Sequence, residues 1–324
     1  MRPKSILRDP YLYIFLAFAL YPFYPFLGNF TSLGSELLLF FIFTLSFNLC
    51  LGYTALPSFG HGALYGMGTF GAALTFLHLT PGLGIGLSIL IGGLTGMLGA
   101  TAVGWLIRDK KGIYFAMMTV AFSQVMFGLC WRWDEVTGGE SGLTGISRTS
   151  FLGLDISGSV PYYYLCFAFF VVCAIVIRII ARSSFGMTLQ SIRQNPVRAT
   201  YLGYNTGFYK FLVYALSGFF AGLAGALYCF LAGAAFADIF DWTKSGDVVI
   251  ATLLGGGTAS FYGPIVGSLI FLVCKELISA FWENWLLAYG LFFVLIILIC
   301  PRGLLGLITD KDHTCGISKE KRES

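Results

Sequence analysis

Long apolar segments alternate with short polar ones along most of the chain. Ten of these segments are candidates for membrane-spanning helices: 11–27, 36–51, 62–79, 83–107, 113–131, 162–181, 208–235, 247–257, 264–280 and 286–300. Many approach or exceed the roughly 20 residues that an α-helix needs to cross a bilayer. Since backbone N–H and C=O groups in lipid must hydrogen-bond within the segment, such segments are expected to be helical. The pattern predicts an all-α, polytopic membrane protein of about ten transmembrane helices.

The eighth segment, 247–257, differs from the others because it is too short to cross a bilayer alone. It ends in the consecutive glycines Gly255, Gly256 and Gly257, which favour an interruption of the helix. Broken helices at membrane depth are tolerated only where they are buried in protein or line a water-filled cavity. The sequence therefore predicts a broken helix here.

Composition supports a single integral membrane domain. Hydrophobic residues make up 57% of the 324 residues and charged residues only 11%, whereas a soluble domain has about 25% charged residues. We assign residues 1–310 to a transmembrane domain and residues 311–324 to a short tail. The net charge of +4 is attributed to basic cytoplasmic loops rather than to binding of nucleic acid.

The distribution of Lys and Arg predicts the orientation, because these residues collect in cytoplasmic loops. With ten crossings and both termini in the cytoplasm, the main basic clusters fall on one side of the membrane. They are Arg2, Lys4 and Arg8; Arg108, Lys110 and Lys111; Arg178, Arg182, Arg193 and Arg198; and Arg302, Lys311, Lys319, Lys321 and Arg322.

Sequence signatures of catalysis are lacking. The chain has no GxxxxGK[ST], HExxH or GxSxG motif, and the glycines at 255–257 have no following lysine that could hold a nucleotide phosphate. None of the three histidines has a second ligand at helical spacing, and the eight cysteines form no CxxC pair. We therefore expect neither catalytic residues nor a metal site. Lys275 and Glu276 lie within an apolar segment, where they indicate either a functional site or interfacial side chains.

One polar stretch, 182–207, separates the sixth and seventh apolar segments. Ser183 or Ser184 can cap a helix, and Asn195 followed by Pro196 is typical of a second helix starting at a new angle. Gly203 is suited to the left-handed residue that ends a helix. The stretch predicts two short helices at an elbow, which either dock into a groove of a soluble partner or lie on anionic lipid headgroups.

Five sequence blocks resemble branched-chain amino acid ABC importer permeases of the LivM type. The first is the segment from SSFGMTLQSIRQN to SGFFAGLAGALY, and the others are NLCLGYTALPSFGHGALYGMGTF, KGIYFAMMTVAFSQV, TGGESGLTGIS and LLGGGTASFYGPIVGSLI with CPRGLLGL. In that family the loop 182–207 docks on the ATPase. The resemblance thus favours docking over a role at the lipid surface.

The resemblance implies a transport subunit, not an enzyme, in a type II-like ABC importer that passes branched-chain or related amino acids. Its partners would be a second homologous permease, two ATP-binding subunits that carry ATP and Mg, an extracytoplasmic binding protein and membrane lipid. This subunit itself would need no cofactor. The residues expected to couple it to the ATPase are Gly186, Ile192, Arg193, Asn195, Pro196, Ala199, Leu202, Gly203 and Lys210.

Two further sets of residues follow from the resemblance. Candidates for lining the solute path are Ser58, His61, Gly62, Gly66, Gly255, Gly256 and Gly257. Candidates for contact with the binding protein are Thr137, Gly138, Gly139, Gly142 and Leu143. For the path residues, helix packing by small side chains is an equally good explanation. The permease motifs do not separate amino acids from urea or short-chain amides as cargo, and a stand-alone secondary transporter is a further alternative.

Overall fold

The computed structural model describes residues 18, 31–79, 85–108, 110, 112–148, 150–151, 153–256, 261–281, 287, 290, 291 and 294. Within these residues the fold is predominantly α-helical. The helices are α1 Thr31–Thr54, α2 His61–Leu74, α3 Ile85–Ile107, α4 Ile113–Arg132, α5 Asp134–Thr137, α6 Ser159–Arg182, α7 Ser184–Gln194, α8 Pro196–Tyr201, α9 Thr206–Ala232, α10 Trp242–Leu254 and α11 Gly263–Phe281. There are also four two-residue strands in this part of the chain: β1 Leu143–Thr144, β2 Ser150–Phe151, β3 Leu154–Asp155 and β4 Ala234–Ala235. A π-helical turn, Thr75–Leu79, continues α2, and two 3-10 helices span Gly139–Ser141 and Ala237–Phe240.

The central helix is α1, which packs against α6, α9 and α11. Apolar residues occur all around it, and a helix of that kind is stable only when it is surrounded by other elements. The side chains of Phe41, Leu45 and Phe47 are fully buried. By contrast, α3, α4 and α6 each expose large apolar side chains, among them Leu98, Met117 and Ile179. These helices form an apolar periphery around the core.

Helices α2, α3 and α9 pack so closely that their backbones touch. A Cβ atom added to Gly96 would lie 2.6 Å from the carbonyl oxygen of Gly218, and one added to Gly222 would lie 2.6 Å from that of Gly92. The GxxxG pairs Gly92–Gly96 and Gly218–Gly222 therefore face each other across the α3–α9 contact, as small residues do in tight helix packing. The addition of even one methyl group would force these helices apart.

The bundle has two distinct ends. The end that carries α7 and α8 is called the elbow end here, and α1 and α6 both finish there. The opposite end carries the antiparallel pair β1–β4, in which Leu143 pairs with Ala235 and Thr144 with Ala234. It is called the strand end. Helix α9 runs from the elbow end to the strand end.

Most predicted spans correspond to helices, with some changes of boundary. Five of the described helices, α1, α3, α4, α6 and α9, are long and apolar enough to cross a membrane. The predicted span 208–235 is wrong at its end, because Gly233 adopts a left-handed conformation with φ 70° that terminates α9. The predicted spans 11–27 and 286–300 lie, apart from single residues, outside the described residues.

The broken segment is present, but it starts earlier than predicted. Helix α10 begins at Trp242 rather than at residue 247 and ends at Leu254, and α11 begins at Gly263. Asp241 caps α10, since its Oδ1 atom accepts a hydrogen bond of 2.8 Å from the backbone N–H of Trp242. The polar sequence WTKSGD at the start of α10 is typical of a loop, which is why the apolar pattern missed this first turn.

Candidate functional site

The elbow is built by local capping interactions. The Oγ atom of Ser183 accepts a hydrogen bond from the N–H of Gly186 at the start of α7. The Oδ1 atom of Asn195 accepts hydrogen bonds from the N–H groups of Val197 and Arg198, at 3.1 and 3.0 Å, at the start of α8. Gly203 follows α8 with φ 89°. The predicted pair of short helices and their caps are confirmed.

One face of the elbow is fixed to the rest of the bundle. Leu189, Ile192 and Ala199 are buried. Gly186 is also buried, and a Cβ atom added to it would lie 2.7 Å from the carbonyl oxygen of Ile180. Lys210, on α9, is only 8% exposed. Leu189, Ile192, Ala199 and Gly186 thus form the packed face of the elbow.

Arg193 links the elbow to the core of the bundle. Its Nη1 atom donates a hydrogen bond of 2.6 Å to the carbonyl oxygen of Gly52, in the last turn of α1. A guanidinium group is a suitable donor for the unpaired carbonyl groups at a helix C-terminus. Arg193 therefore connects α7 to the central helix.

The other face of the elbow is exposed and partly apolar. Met187, Val197, Tyr201 and Leu202 are between 54% and 86% exposed, and together they are called the elbow surface here. Gly203 is also exposed, and Asn195 and Pro196 are half-buried. The predicted coupling residues thus divide into three groups. Leu202 and Gly203 are exposed, and Asn195 and Pro196 are half-buried at the bend. The inward group is Gly186, Ile192, Arg193, Ala199 and Lys210.

Buried polar side chains meet where α2 begins, near the middle of α1 and α9. His61 is fully buried, and its Nε2 atom lies 3.0 Å from the Oγ atom of Ser46 and 3.3 Å from that of Ser217. Ser217 also donates a hydrogen bond of 2.8 Å to the carbonyl oxygen of Ser46. The rings of Phe43 and Phe47 enclose the imidazole at centroid distances of 5.5 and 5.4 Å. This cluster joins α1, α2 and α9.

The first turn of α10 reaches the same region. The backbone N–H of Gly62 donates a hydrogen bond of 2.8 Å to the Oγ atom of Ser245. A Cβ atom added to Gly62 would lie 3.0 Å from that oxygen, and one added to Gly66 would lie 2.8 Å from the ring of Phe240. Ser46, His61, Ser217 and Ser245 are called the central junction here. Two helix starts, those of α2 and α10, meet at it.

The candidate path residues are packed between elements in this structure. Ser58, His61, Gly62 and Gly66 are buried, and the hydroxyl groups of Ser58 and Tyr214 lie 3.5 Å apart. Gly255 and Gly256 follow α10, and a Cβ atom on Gly255 would lie 3.0 Å from the backbone nitrogen of Gly267. Gly257 lies outside the described residues. The structure therefore brings Ser58, His61, Gly62 and Gly66 together near the central junction. It places Gly255 in the contact between α10 and α11.

The candidate residues for binding-protein contact form a scaffold at the strand end. Gly138, Gly139 and Gly142 have φ values of 72°, 56° and 64°, a conformation that glycine adopts without strain. Thr137 donates hydrogen bonds of 2.7 Å to the carbonyl oxygens of Cys130 and Trp133. Leu143 pairs with Ala235 and is half-buried. The turn exposes Glu140 and Ser141, whereas Gly139 is buried.

The sequence interpretation missed the serines of the central junction. Ser46 and Ser217 lie in the middle of apolar segments, and Ser245 lies between the predicted segments 208–235 and 247–257. A serine inside an apolar helix is a candidate for hydrogen bonding between helices. That signal was available for Ser46 and Ser217, but which group each would meet depends on tertiary packing.

Comparison with known proteins agrees with this architecture. Residues 30–300 match the family model described as branched-chain amino acid transport system / permease component. The high-affinity branched-chain amino acid transport system permease proteins LivM of Salmonella typhimurium and Escherichia coli are both 26% identical to the chain. The match covers 85% and 83% of this chain and 69% and 68% of those proteins, respectively.

An archaeal relative belongs to the other permease type of such systems. The probable branched-chain amino acid transport permease protein LivH of Methanocaldococcus jannaschii is 27% identical over 81% of this chain and 88% of its own length. No solved structure shows a significant match. Since the family model covers most of the chain, including the elbow, the central junction and the strand-end turn, the protein belongs to the permease components of branched-chain amino acid transport systems.

Proposed function

We propose that this chain is the permease subunit of an ATP-driven importer for branched-chain amino acids. It would lie in a bacterial inner membrane with its elbow end and both termini in the cytoplasm, where ATP is available. The strand end would then face an extracytoplasmic binding protein. The basic residues Arg108 and Lys110 and the arginines at 178–198 support this orientation, because they lie toward the elbow end.

The observation that carries the proposal is the two-sided elbow. Its outward face exposes Met187, Val197, Tyr201 and Leu202, and its inward face is packed against the bundle. An exposed apolar surface on a polar, water-facing segment indicates a protein interface. Short amphipathic helices bind by inserting such residues into a groove of the partner. The ATP-binding subunit is the partner that an ABC permease requires on this side.

The inward face connects the elbow to the core of the bundle. A displacement of α7 would be transmitted through Arg193 to Gly52 at the end of α1. Helix α1 in turn carries Ser46, which contacts His61 in the central junction. ATP binding elsewhere would therefore bias which of two arrangements the bundle adopts, as a ligand does in any two-state element. This subunit would hydrolyse no ATP itself, and ATP and Mg would be held by its partners.

The complete transporter would contain a second, homologous permease and two ATP-binding subunits. The relatives support two permease types, because both LivM and LivH proteins match the chain. Of the predicted coupling residues, Leu202 and Gly203 would face the ATPase, with Asn195 and Pro196 shaping the bend. Gly186, Ile192, Arg193, Ala199 and Lys210 would hold the elbow in position.

Reconstitution with a charge placed on the elbow surface tests this function. The Leu202→Asp variant is expected to lose co-purification with the ATP-binding subunits and to lower ATP-driven leucine uptake into proteoliposomes at least about tenfold, as at an interface hot spot. Val160→Asp is the matched control for co-purification, because Val160 is an exposed apolar residue at the strand end, away from the elbow. Leucine uptake that an ion gradient drives without any ATPase would instead establish a stand-alone secondary transporter.

A further inference from the structure

A cavity with charged walls lies beside the central junction. It is lined by residues of α1, α2, α9, α10 and α11 and by one residue of the turn Ala237–Phe240. Four of the lining residues are ionisable with charges of both signs: Glu36, Lys244, Asp247 and Lys275. All four are half-buried, so their charged groups are neither fully solvated nor sealed from the cavity. Ionisable side chains that are partly buried among the helices of a membrane protein are costly and indicate a functional site.

The charges are arranged so that both signs are present and balanced. With two carboxylates and two ammonium groups ionised, the lining has no net charge. Asp247 lies within electrostatic range of both Lys244 and Lys275. Glu36 lies on the other part of the lining, near the phenol groups of Tyr65 and Tyr228. A ligand that carries a cation and an anion within one small group could contact both parts at once.

Aromatic rings form the remaining wall. Phe40 and Phe271 are stacked with ring centroids 5.4 Å apart, and the rings of Phe43 and Tyr65 are 4.6 Å apart. Tyr228 lies 5.8 Å from Tyr65. Phe40 and Tyr228 are only partly buried, so apolar ring surface remains available. Such a surface stabilises an aliphatic side chain by removing it from water.

The size of the cavity limits which part of a ligand it can enclose. Its volume is about 50 Å³, which is space for roughly four water molecules at 10–15 Å³ each. The ammonium, α-carbon and carboxylate of an amino acid together occupy a comparable space. A whole leucine is larger, so its side chain would extend along the ring surfaces outside this volume.

We propose that this cavity binds the zwitterionic headgroup of an aliphatic α-amino acid. Lys244 and Lys275 contact the ligand carboxylate, Glu36 contacts the ligand ammonium, and Asp247 balances the two lysines. The proposal rests on the proposed function, since it supplies that function with a substrate site inside the permease. The sequence predicted that glycines such as Gly62 line the solute path. The cavity proposal assigns the substrate contact to charged side chains instead, and one of them, Lys244, lies beside Gly62.

The charge pattern separates an amino acid from the other cargo classes. Urea and short-chain amides carry no charge, so they would displace water from four ionisable groups without offering a counter-charge, which is unfavourable. A simple cation or anion would meet repulsion from one half of the lining. A zwitterion replaces the lost hydration at both ends with charge-assisted hydrogen bonds.

The cavity adjoins the contact between the start of α2 and the first turn of α10. Lys244 directly precedes Ser245, which accepts the hydrogen bond from Gly62. A Cβ atom added to Gly62 would also lie 3.3 Å from Cβ of Lys244. A ligand held by Lys244 would therefore act on the first turn of α10 at the point where it meets the start of α2.

Equilibrium binding of radiolabelled leucine to the purified full-length chain in nanodiscs tests the site. The chain is measured alone and with the subunits that co-purify with it, without nucleotide or binding protein. The competitors are leucinamide, which lacks the carboxylate, and 4-methylpentanoate, which lacks the ammonium. The wild-type chain is expected to bind leucine at least about tenfold more tightly than either competitor, the effect of one charge-assisted hydrogen bond.

Two variants then assign the ends of the ligand. Lys244→Gln is expected to weaken leucine binding about tenfold but to leave leucinamide binding unchanged, and Glu36→Gln to weaken leucine binding but not that of 4-methylpentanoate. Lys244→Arg keeps the charge and should restore part of the affinity. Lys110→Gln removes an exposed lysine distant from the cavity and serves as the control. Thermal unfolding of each variant shows that the fold is retained.

Two outcomes overturn the site: no leucine binding by the wild-type chain, or equal weakening of all three ligands in both variants, which would indicate ion pairs that only stabilise the bundle. ATP-driven uptake is measured in parallel on the complete transporter. Uptake without site-dependent selectivity overturns the cavity proposal and leaves the proposed function in place. Selective leucine binding without ATP-driven uptake supports the cavity proposal and contradicts the proposed function.

Discussion

The Nη1 atom of Arg193 donates a hydrogen bond of 2.6 Å to the carbonyl oxygen of Gly52, across a sequence separation of 141 residues. This contact joins the elbow to the end of the central helix. Arg193 was expected to face the ATPase, but its hydrogen bond to Gly52 points to a role in transmitting movement within the permease. The two roles make different predictions for the same substitution.

The first prediction is that Arg193→Gln lowers ATP-driven uptake at least about tenfold, because the charged hydrogen bond to Gly52 is lost. The elbow surface stays intact, so the ATP-binding subunits should still co-purify. Uptake and pull-down from the same membranes check this, with Lys110→Gln as a control for loss of a basic residue. Loss of subunit association in Arg193→Gln would show that Arg193 contacts the ATPase after all.

The second prediction concerns the left-handed residue after α8. Gly203 has φ 89°, and among the described residues no atom lies within 4 Å of a Cβ atom built on it. A larger side chain therefore costs backbone strain of about 1–2 kcal/mol but causes no collision. Gly203→Val should distort the elbow and uncouple ATP hydrolysis from uptake while membrane insertion remains normal.

Substrate-stimulated ATPase activity of the complete transporter is the measurement for Gly203→Val. Gly203→Asn is the control, since asparagine tolerates the left-handed region better than a β-branched residue does. Normal stimulation in Gly203→Val would count against a role of this turn in docking.

The third prediction concerns the contact between α3 and α9. A Cβ atom on Gly96 would lie 2.6 Å from the carbonyl oxygen of Gly218 and 2.7 Å from Cα of Gly222. Gly96→Leu should lower the free energy of unfolding by about 1–3 kcal/mol or more through overpacking. Gly128→Leu is the matched control on α4, because no described atom lies within 4 Å of its added Cβ atom. Thermal unfolding in detergent should separate the two variants, and equal melting temperatures would contradict the tight packing.

The fourth prediction concerns the hydrogen bond between α10 and α2. Ser245→Ala removes the acceptor that the buried N–H of Gly62 uses at 2.8 Å. An unsatisfied buried donor costs about 1–3 kcal/mol, so the variant should unfold at a lower temperature than the wild type. Ser279→Ala removes an exposed hydroxyl that bonds only within α11, and it should leave the unfolding temperature unchanged. A similar drop in both variants would show that the Gly62–Ser245 bond contributes little.

Local signals in the sequence were sufficient to predict the two short helices of the elbow and their caps. Asn195 and Pro196 act on backbone groups within three residues, and Gly203 acts through its own φ angle, so their effects are readable without knowledge of the fold. The apolar pattern likewise located the long helices, because lipid leaves the backbone no alternative to helical pairing.

Contacts between distant segments were not predictable in this way. The partner of Arg193 lies 141 residues earlier, and Gly62 and Ser245 are 183 residues apart. Asp247 was placed at the very start of the eighth apolar segment, although it lies inside α10, which begins at Trp242, and lines the charged cavity. Its local sequence is polar because the helix borders that cavity rather than lipid, and a hydropathy pattern cannot distinguish such a helix from a loop.

The glycine contacts of α2, α3 and α9 restrict how the permease can change shape. Where a carbonyl oxygen of one helix rests against a Cα atom of the next, rotamer changes cannot absorb a displacement. These three helices should therefore travel together as one rigid body. Any hinge that opens a passage must then lie outside them, and the glycine turn after α10, where Gly256 has φ 88°, offers the freedom of rotation that such a hinge requires.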